Sequence, residues 1–223
     1  MNKNILVITD QDNVFTLALE KANTIAKEFR SKVEVISFID STSAEVEISQ
    51  HEEKLHQHVK NCFDESVGIT IQIIVTPDFT DWTQKHCEQN QVDLVIKTGH
   101  RSESIFYAPS DWKLIRKLDC PLMIISDQKW RAKPTILAAL DAGNTNELQK
   151  HIDMDVIHQA NHWALVKDWQ LHTIYAMPLP TAKVELGVVE VEQFERQNHD
   201  KAVELLEQRL ALSNITPVEK KVA

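Results

Sequence analysis

Short apolar runs rich in β-branched residues alternate along this chain with stretches whose apolar residues recur at helical spacing, and that alternation limits the fold most. Residues 4–10, Asn-Ile-Leu-Val-Ile-Thr-Asp, are the first such run and close on an acidic residue. A strand covered on both faces reads this way, because neither side has to tolerate water. Val14, Leu17, Ala18, Lys21, Ala22, Ile25, Ala26 and Phe29 then mark one helical stripe, with Lys21 its only polar member. Further strands are predicted at 33–39, 69–75, 92–96 and 121–125, and helices at 43–67, 82–89 and 111–118. Strand and helix in alternation call for parallel strands joined by right-handed helical crossovers. The expected fold is therefore α/β: an open five-stranded parallel sheet with helices on both faces, Rossmann-like in general plan.

The pattern then restarts. After the polar stretch 127–134, Asp-Gln-Lys-Trp-Arg-Ala-Lys-Pro, the run 135–141, Thr-Ile-Leu-Ala-Ala-Leu-Asp, mirrors 4–10. Ala22, Asn23 and Ala26 fall on Ala160, Asn161 and Ala164 at a constant offset, and both stretches lead into a strand, at Val33 and Leu171. The matches keep strand–helix–strand order, so they read as an internal repeat. The second copy carries extra residues at 143–146, has a helix at about 191–212, and then runs into the polar 218–223, where no strand is expected. The expected division is a domain at 1–128, a linker at 129–134 and a second, truncated copy at 135–223. A half sheet leaves an open edge and an uncovered apolar face, so a homo-oligomer, in the simplest case a dimer, is expected.

Charge and cysteine usage exclude several classes. The net charge of −9 argues against a nucleic-acid partner, which needs a surplus of Lys and Arg for phosphate contacts. Lys113, Arg116 and Lys117 form a small basic group that the polar face of a helix explains. No apolar run approaches the length that spans a bilayer, so no membrane association is expected. The N-terminus lacks the apolar core and cleavage site of a signal peptide, so the expected location is cytoplasmic. Cys62, Cys87 and Cys120 are odd in number and widely spaced, which suits reduced thiols and not a disulfide framework.

The run ending at Asp10 and the closing segment together resemble the universal stress proteins. That segment reads Asp93-Leu-Val-Ile-Lys97, Thr98-Gly99-His100, then Asp111-Trp112-Lys-Leu-Ile-Arg-Lys117 and Cys120-Pro121-Leu-Met-Ile-Ile125. The helix at 111–117 and the Asp-Gln-Lys-Trp that follows at 127–130 are similar to the tandem E-type members in particular. The resemblance covers 3–128 well and 134–223 loosely. It implies the adenine nucleotide alpha hydrolase-like fold, a role in stress response and, in many members, ATP binding.

In nucleotide-binding members a Gly-x-x-Gly and a later Gly-(Ser/Thr) let backbone N–H groups approach phosphate at a helix N-terminus. Here only Gly99 matches: Ser102 stands where the second glycine belongs, and Ala108-Pro109 aligns with Gly-Ser. Pro109 removes a donor outright. Gly68, Gly99, Gly143 and Gly187 are the only glycines, all far apart, so no glycine-rich phosphate loop can be built. ATP is not expected as a cofactor, and neither is any other. The family places ligand near Asp10, Gly99, His100 and Ser102, and near Asp141 in the second copy; with the glycine loop gone, the aspartates read more simply as turn or cap residues. Phe79, Trp82, Phe106, Tyr107 and Trp112 give the loop side an aromatic character, which suits core packing or a small apolar ligand.

Other chemistry has little support. His51, His58 and Cys62 share a helical face. Two turns separate the histidines by about 10.5 Å, too far to hold one ion unaided, so a solvated face is expected and no metal. Adjacent His86 and Cys87 point to different sides of a helix. Ser102 and Ser104 lie near His100 and Glu103 in one loop, but proximity in sequence is not triad geometry, and no catalytic residues are assigned. The expected function is that of a non-enzymatic stress-response protein acting through a partner or small ligand. The alternative is an ATP-binding regulator with slow hydrolysis, and a third reading is a metal-linked binding protein.

Overall fold

The described residues of the first half of the chain form β1 (Asn4–Thr9), α1 (Leu17–Phe29), β2 (Lys32–Ile39), α2 (Glu45–Cys62), β3 (Ile69–Val75), α3 (Phe79–Asn90), β4 (Leu94–Thr98), α4 (Ser110–Lys117) and β5 (Leu122–Ile125). The structure is a computed structural model that describes residues 4–9, 17–39, 45–99, 110–126, 134–187 and 190–222. The chain divides into two compact units, Met1–Lys129 and Trp130–Ala223.

In the first unit the strands lie in the order β3-β2-β1-β4-β5, and every pairing is parallel. β1 sits in the middle and is buried from Ile5 to Thr9, which explains why its sequence shows no polar alternation. Leu6, Ile8, Ile36 and Val95 point to one face, where they form a core with Cys87 and Val92 of the α3 region and Leu114 of α4. Ile5, Val7, Val33 and Val35 alternate onto the other face, where α1 packs on β1 and β2 and α2 packs on α1. The fold is the expected one: a five-stranded parallel sheet with helices on both faces.

The second unit contains β6 (Thr135–Leu140), α5 (Glu147–Lys167), β7 (Gln170–Tyr175), α6 (Thr181–Glu185), α7 (Val191–Ala211) and β8 (Glu219–Val222). Its strands run parallel in the order β6-β7-β8, the connectivity of β1-β2-β3. The repeat extends to the helix ends. Arg30 after α1 and Asp168 after α5 both adopt left-handed φ, 50° and 52°. The next amide reaches back to the same alanine, Ser31 to Ala26 and Trp169 to Ala164, each at 2.9 Å.

α5 and α7 both pack on the sheet face carrying Ala138, Leu140, Leu171 and Tyr175. Leu137, 55% exposed, points to the other face, on which no helix lies among the described residues of this unit.

β8 corrects the sequence reading, which had no strand in 218–223. Glu-Lys-Lys-Val carries no apolar pattern, yet it pairs along β7 as an edge strand. Edge strands accommodate lysine, which blunts pairing with other chains. Lys220 reaches Glu207 of α7 at 2.8 Å, and Glu219 meets His172 of β7 at 2.9 Å. The short helix α6 was also not expected.

A buried ion pair holds this unit's helices to the loop after β6. The Arg209 guanidinium from α7 meets Asp153 of α5, with 4% and 1% of their surfaces exposed. Arg209 also donates to the carbonyl oxygens of Ala142 and Asn144, at 3.3 and 2.6 Å. Asp153 in turn accepts from the Asp141 amide at 3.2 Å and from Gln149 at 2.9 Å. Arg209→Met leaves a buried carboxylate without its charge partner, a change that costs about 3–5 kcal/mol. The expected outcome is a urea unfolding midpoint lowered to match, followed by circular dichroism; a loss below about 1 kcal/mol would show that the pair is not formed.

Candidate functional site

The strand order decides where a ligand can enter. From β1 the chain moves outward through β2 to β3, then returns to lay β4 on the other edge of β1. The two crossovers leave in opposite directions, so a crevice opens beyond the carboxyl ends of β1 and β4. Thr9 and Thr98 end these strands, and both are buried. Thr9 Oγ1 donates to the Ile36 carbonyl at 3.3 Å. Thr98 Oγ1 is buried without a hydrogen-bond partner among the described residues.

Of the residues the sequence nominated here, Asp10, His100 and Ser102 lie outside the described residues, as do Glu103, Ser104, Phe106, Tyr107 and Ala108-Pro109. Gly99 is described, and its constraint is packing. A Cβ built on it would lie 2.6 Å from Ile124 Cγ2 of β5 and 3.7 Å from the Asp111 carboxylate. Its amide donates to the Ile125 carbonyl at 2.8 Å, prolonging the β4–β5 ladder. The glycine is thus required by the close approach of β5, whether or not a phosphate ever comes near.

The charged pair beside it went unrecognised in the sequence. Lys97 is 2% exposed, and its ammonium lies 3.2 Å from Asp111 in the first turn of α4 while donating to the Thr98 carbonyl at 2.9 Å. A lysine inside the apolar run Leu94–Thr98 was the available signal, because a buried ammonium needs a partner. The partner matters for ligand chemistry. A helix N-terminus attracts anions through its free N–H groups and dipole. At α4 a protein carboxylate already stands in the first turn, with the nearby cation committed to it.

In the second unit Asp141 follows β6 and serves a turn. Its Oδ2 accepts from Asn144 Nδ2 at 3.0 Å, and its carbonyl accepts from the Asn144 amide at 3.0 Å. Gly143 packs under the Tyr175 ring, whose hydroxyl accepts from the Gly143 amide. Burial, then the Asp141 charge, pushes the Tyr175 phenol upward, so it stays protonated across the neutral range.

The remaining candidates separate. His51 is not on a solvated face: it is buried, with Nε2 2.7 Å from Ser37 Oγ of β2. Inward rotation of α2 at this turn overrides the polar look of its sequence. His58 faces the Lys54 carbonyl at 2.8 Å, and no cluster of metal ligands occurs among the described residues. Phe79 and Trp82 pack on Phe38, with ring centroids 5.5 and 5.4 Å away, whereas Trp112 is 55% exposed. His86 stacks on Trp82 and pairs with Glu34 at 2.7 Å, turned away from Cys87 as its position implies. A groove of about 400 Å³ lined by Asn4, Lys32, Glu34 and Gly68 opens at the opposite, amino end of the strands.

Gly99→Ala tests the packing constraint. Overpacking of this kind costs about 1–3 kcal/mol, and Ile124→Ala in the same chain is expected to restore most of it. Thermal unfolding of the single and double variants measures both; absence of rescue would place the strain elsewhere.

Comparison with known proteins agrees with this geometry. A family model described as the universal stress protein family matches residues 1–126. Universal stress protein E of Escherichia coli K12 is 24% identical, over 99% of this chain and 78% of its own length. A universal stress protein E homolog of Haemophilus influenzae is 23% identical, over 70% of this chain and 57% of its own length. A putative universal stress protein of Pseudomonas aeruginosa, solved by crystallography, shares the fold with a TM-score of 0.68 at 19% identity, over 99% of this chain and 73% of its own. No helix among the described residues is long and apolar enough to cross a membrane. With a family match over more than half the chain on the sheet order just described, the chain belongs to the universal stress protein family.

Proposed function

We propose that this chain is a non-enzymatic stress-response protein of the cytoplasm that acts through a protein partner or a small, weakly polar ligand at the β1/β4 crevice, and not through bound ATP. The observation that carries this reading is the buried Lys97–Asp111 pair. A triphosphate needs uncommitted positive potential and a bare helix N-terminus. Here the first turn of α4 carries Asp111, and Lys97 answers that charge. Gly99 is spent on β5, and the other three glycines lie far from it. A ligand with few charges suits what remains, with the buried Thr98 hydroxyl as a polar anchor.

Isothermal titration of the full chain with ATP and Mg²⁺ is expected to give no saturable heat at micromolar concentrations. Saturable micromolar binding that Asp10→Ala abolishes would overturn this reading in favour of an ATP-binding regulator.

Self-association belongs to the same proposal. The sheet face of the second unit bearing Leu137 lacks a covering helix among the described residues of that unit, and Leu165 of α5 is 74% exposed. Light scattering is expected to give the mass of a dimer or larger, and Leu137→Lys to shift it toward the monomer. A monomer at tens of micromolar in the unaltered chain would contradict it.

A further inference from the structure

His86 of α3 joins two residues that both border the groove at the amino end of the strands. Its Nε2 lies 2.7 Å from the Glu34 carboxylate of β2, and Asn90 Nδ2 lies 3.2 Å from its Nδ1. Glu34 and Asn90 line that groove of about 400 Å³ together with Lys32, Gly68 and the apolar Ile69 and Val92. Small-molecule sites occupy roughly 300–1,000 Å³, so the space suffices for a ligand. We propose that this groove binds a small zwitterion of the amino-acid class, with its ammonium on Glu34 and Asn90 and its carboxylate on Lys32.

Two acceptors are held in advance for the ammonium. Asn90 Nδ2 also donates to the His86 carbonyl at 3.0 Å, which fixes the direction of its carboxamide. His86 Nδ1 therefore accepts from that nitrogen, and the ring proton sits on Nε2, which donates it to Glu34. The ring is stacked on Trp82 with centroids 4.5 Å apart. Gln72 Nε2 of β3 donates to the other Glu34 oxygen at 3.0 Å, so each carboxylate oxygen takes one protein donor. A carboxylate accepts about four donors, and this side chain is 21% exposed, which leaves room for a ligand. With the Asn90 nitrogen committed to the helix, its carboxamide oxygen is the second acceptor.

Lys32 supplies the opposite charge. It stands two residues before Glu34 on β2, so both side chains leave the same face of the sheet about 6.6 Å apart along the strand. Lys32 is exposed and enters no ion pair among the described residues. A cation alone would be repelled by Lys32, and an anion alone by Glu34. A molecule that carries both charges meets each with its opposite. Ile69 and Val92 offer an apolar wall to a short aliphatic side chain. The groove lies at the far end of the sheet from the β1/β4 crevice, so the inference is independent of what the crevice binds.

The test titrates the full chain with L-leucine, followed by calorimetry and by amide NMR spectra. Saturable binding is expected, with the largest shifts at the amides of Lys32, Gly68 and Asn90 and none at Gly99. Leucinamide lacks the carboxylate and N-acetylleucine lacks the ammonium. Each is expected to bind at least about tenfold more weakly than leucine. Lys32→Met is expected to weaken leucine by a similar factor without weakening leucinamide. A Cβ at Gly68 meets nothing within 4 Å, so Gly68→Val is expected to keep its circular dichroism, fill the groove and lose binding. Absence of saturable leucine binding at millimolar concentrations, equal affinity for leucine and both blocked forms, shifts centred on Gly99, or binding unaltered by Gly68→Val would each overturn the proposal.

Discussion

β1 has a paired neighbour along each edge and helices across each face, and the first unit is arranged around that enclosure. Nothing polar along its length can meet water, so the side chains from Ile5 to Ile8 are all aliphatic. Polar chemistry is displaced to the strand ends. At the amino end the gap between β1 and β4 is closed by the Asn4 amide donating to the Asp93 carboxylate at 2.8 Å and the Asp93 amide donating to the Asn4 carbonyl at 2.9 Å. At the carboxyl end the strands part, and the crevice opens because the crossovers diverge there.

What that crevice can hold is then a question of charge and space at α4. A glycine in a family signature invites the conclusion that phosphate requires it. In this chain β5 requires Gly99, since Ile124 fills the room a methyl group would take. The neighbouring Lys97 looks equally suited to phosphate, yet it is buried against Asp111. Both residues have packing and ion-pair roles that stand without a nucleotide. Breaking that ion pair would strand a buried charge, which keeps both members in place regardless of ligand.

Much of this was legible in the sequence because it depends on local pattern. The uninterrupted apolar run of β1 announces a central strand, and the alanines of α1 recur in α5 because both helices press small residues against their sheet. β8 was not legible, since an edge strand of Glu-Lys-Lys-Val draws its order from the β7 ladder and not from its own composition. His51 was misread for a related reason: the rotation of α2 that buries it against Ser37 is a tertiary choice. The Lys97–Asp111 contact joins elements brought together only by the completed sheet. A one-dimensional reading can name such residues but cannot pair them.

The position of β6 beside β7 alone has a consequence for how the two units come to order. Among the described residues of the second unit, strands pair only with their neighbours along the chain. The first unit cannot close its sheet until β4 returns to β1 across 89 positions, as the Asn4–Asp93 contact records. Loop-closure entropy opposes that return, and contacts between distant parts of a chain slow folding more than neighbouring ones do. During synthesis β1, β2 and β3 leave the ribosome first, with one edge of β1 bare until β4 follows. β6 keeps among the described residues the single-neighbour arrangement that β1 has only until β4 arrives. Among the described residues, the strand–helix–strand arrangement that is a passing stage in the first unit is the one that β6 and β7 show in the second.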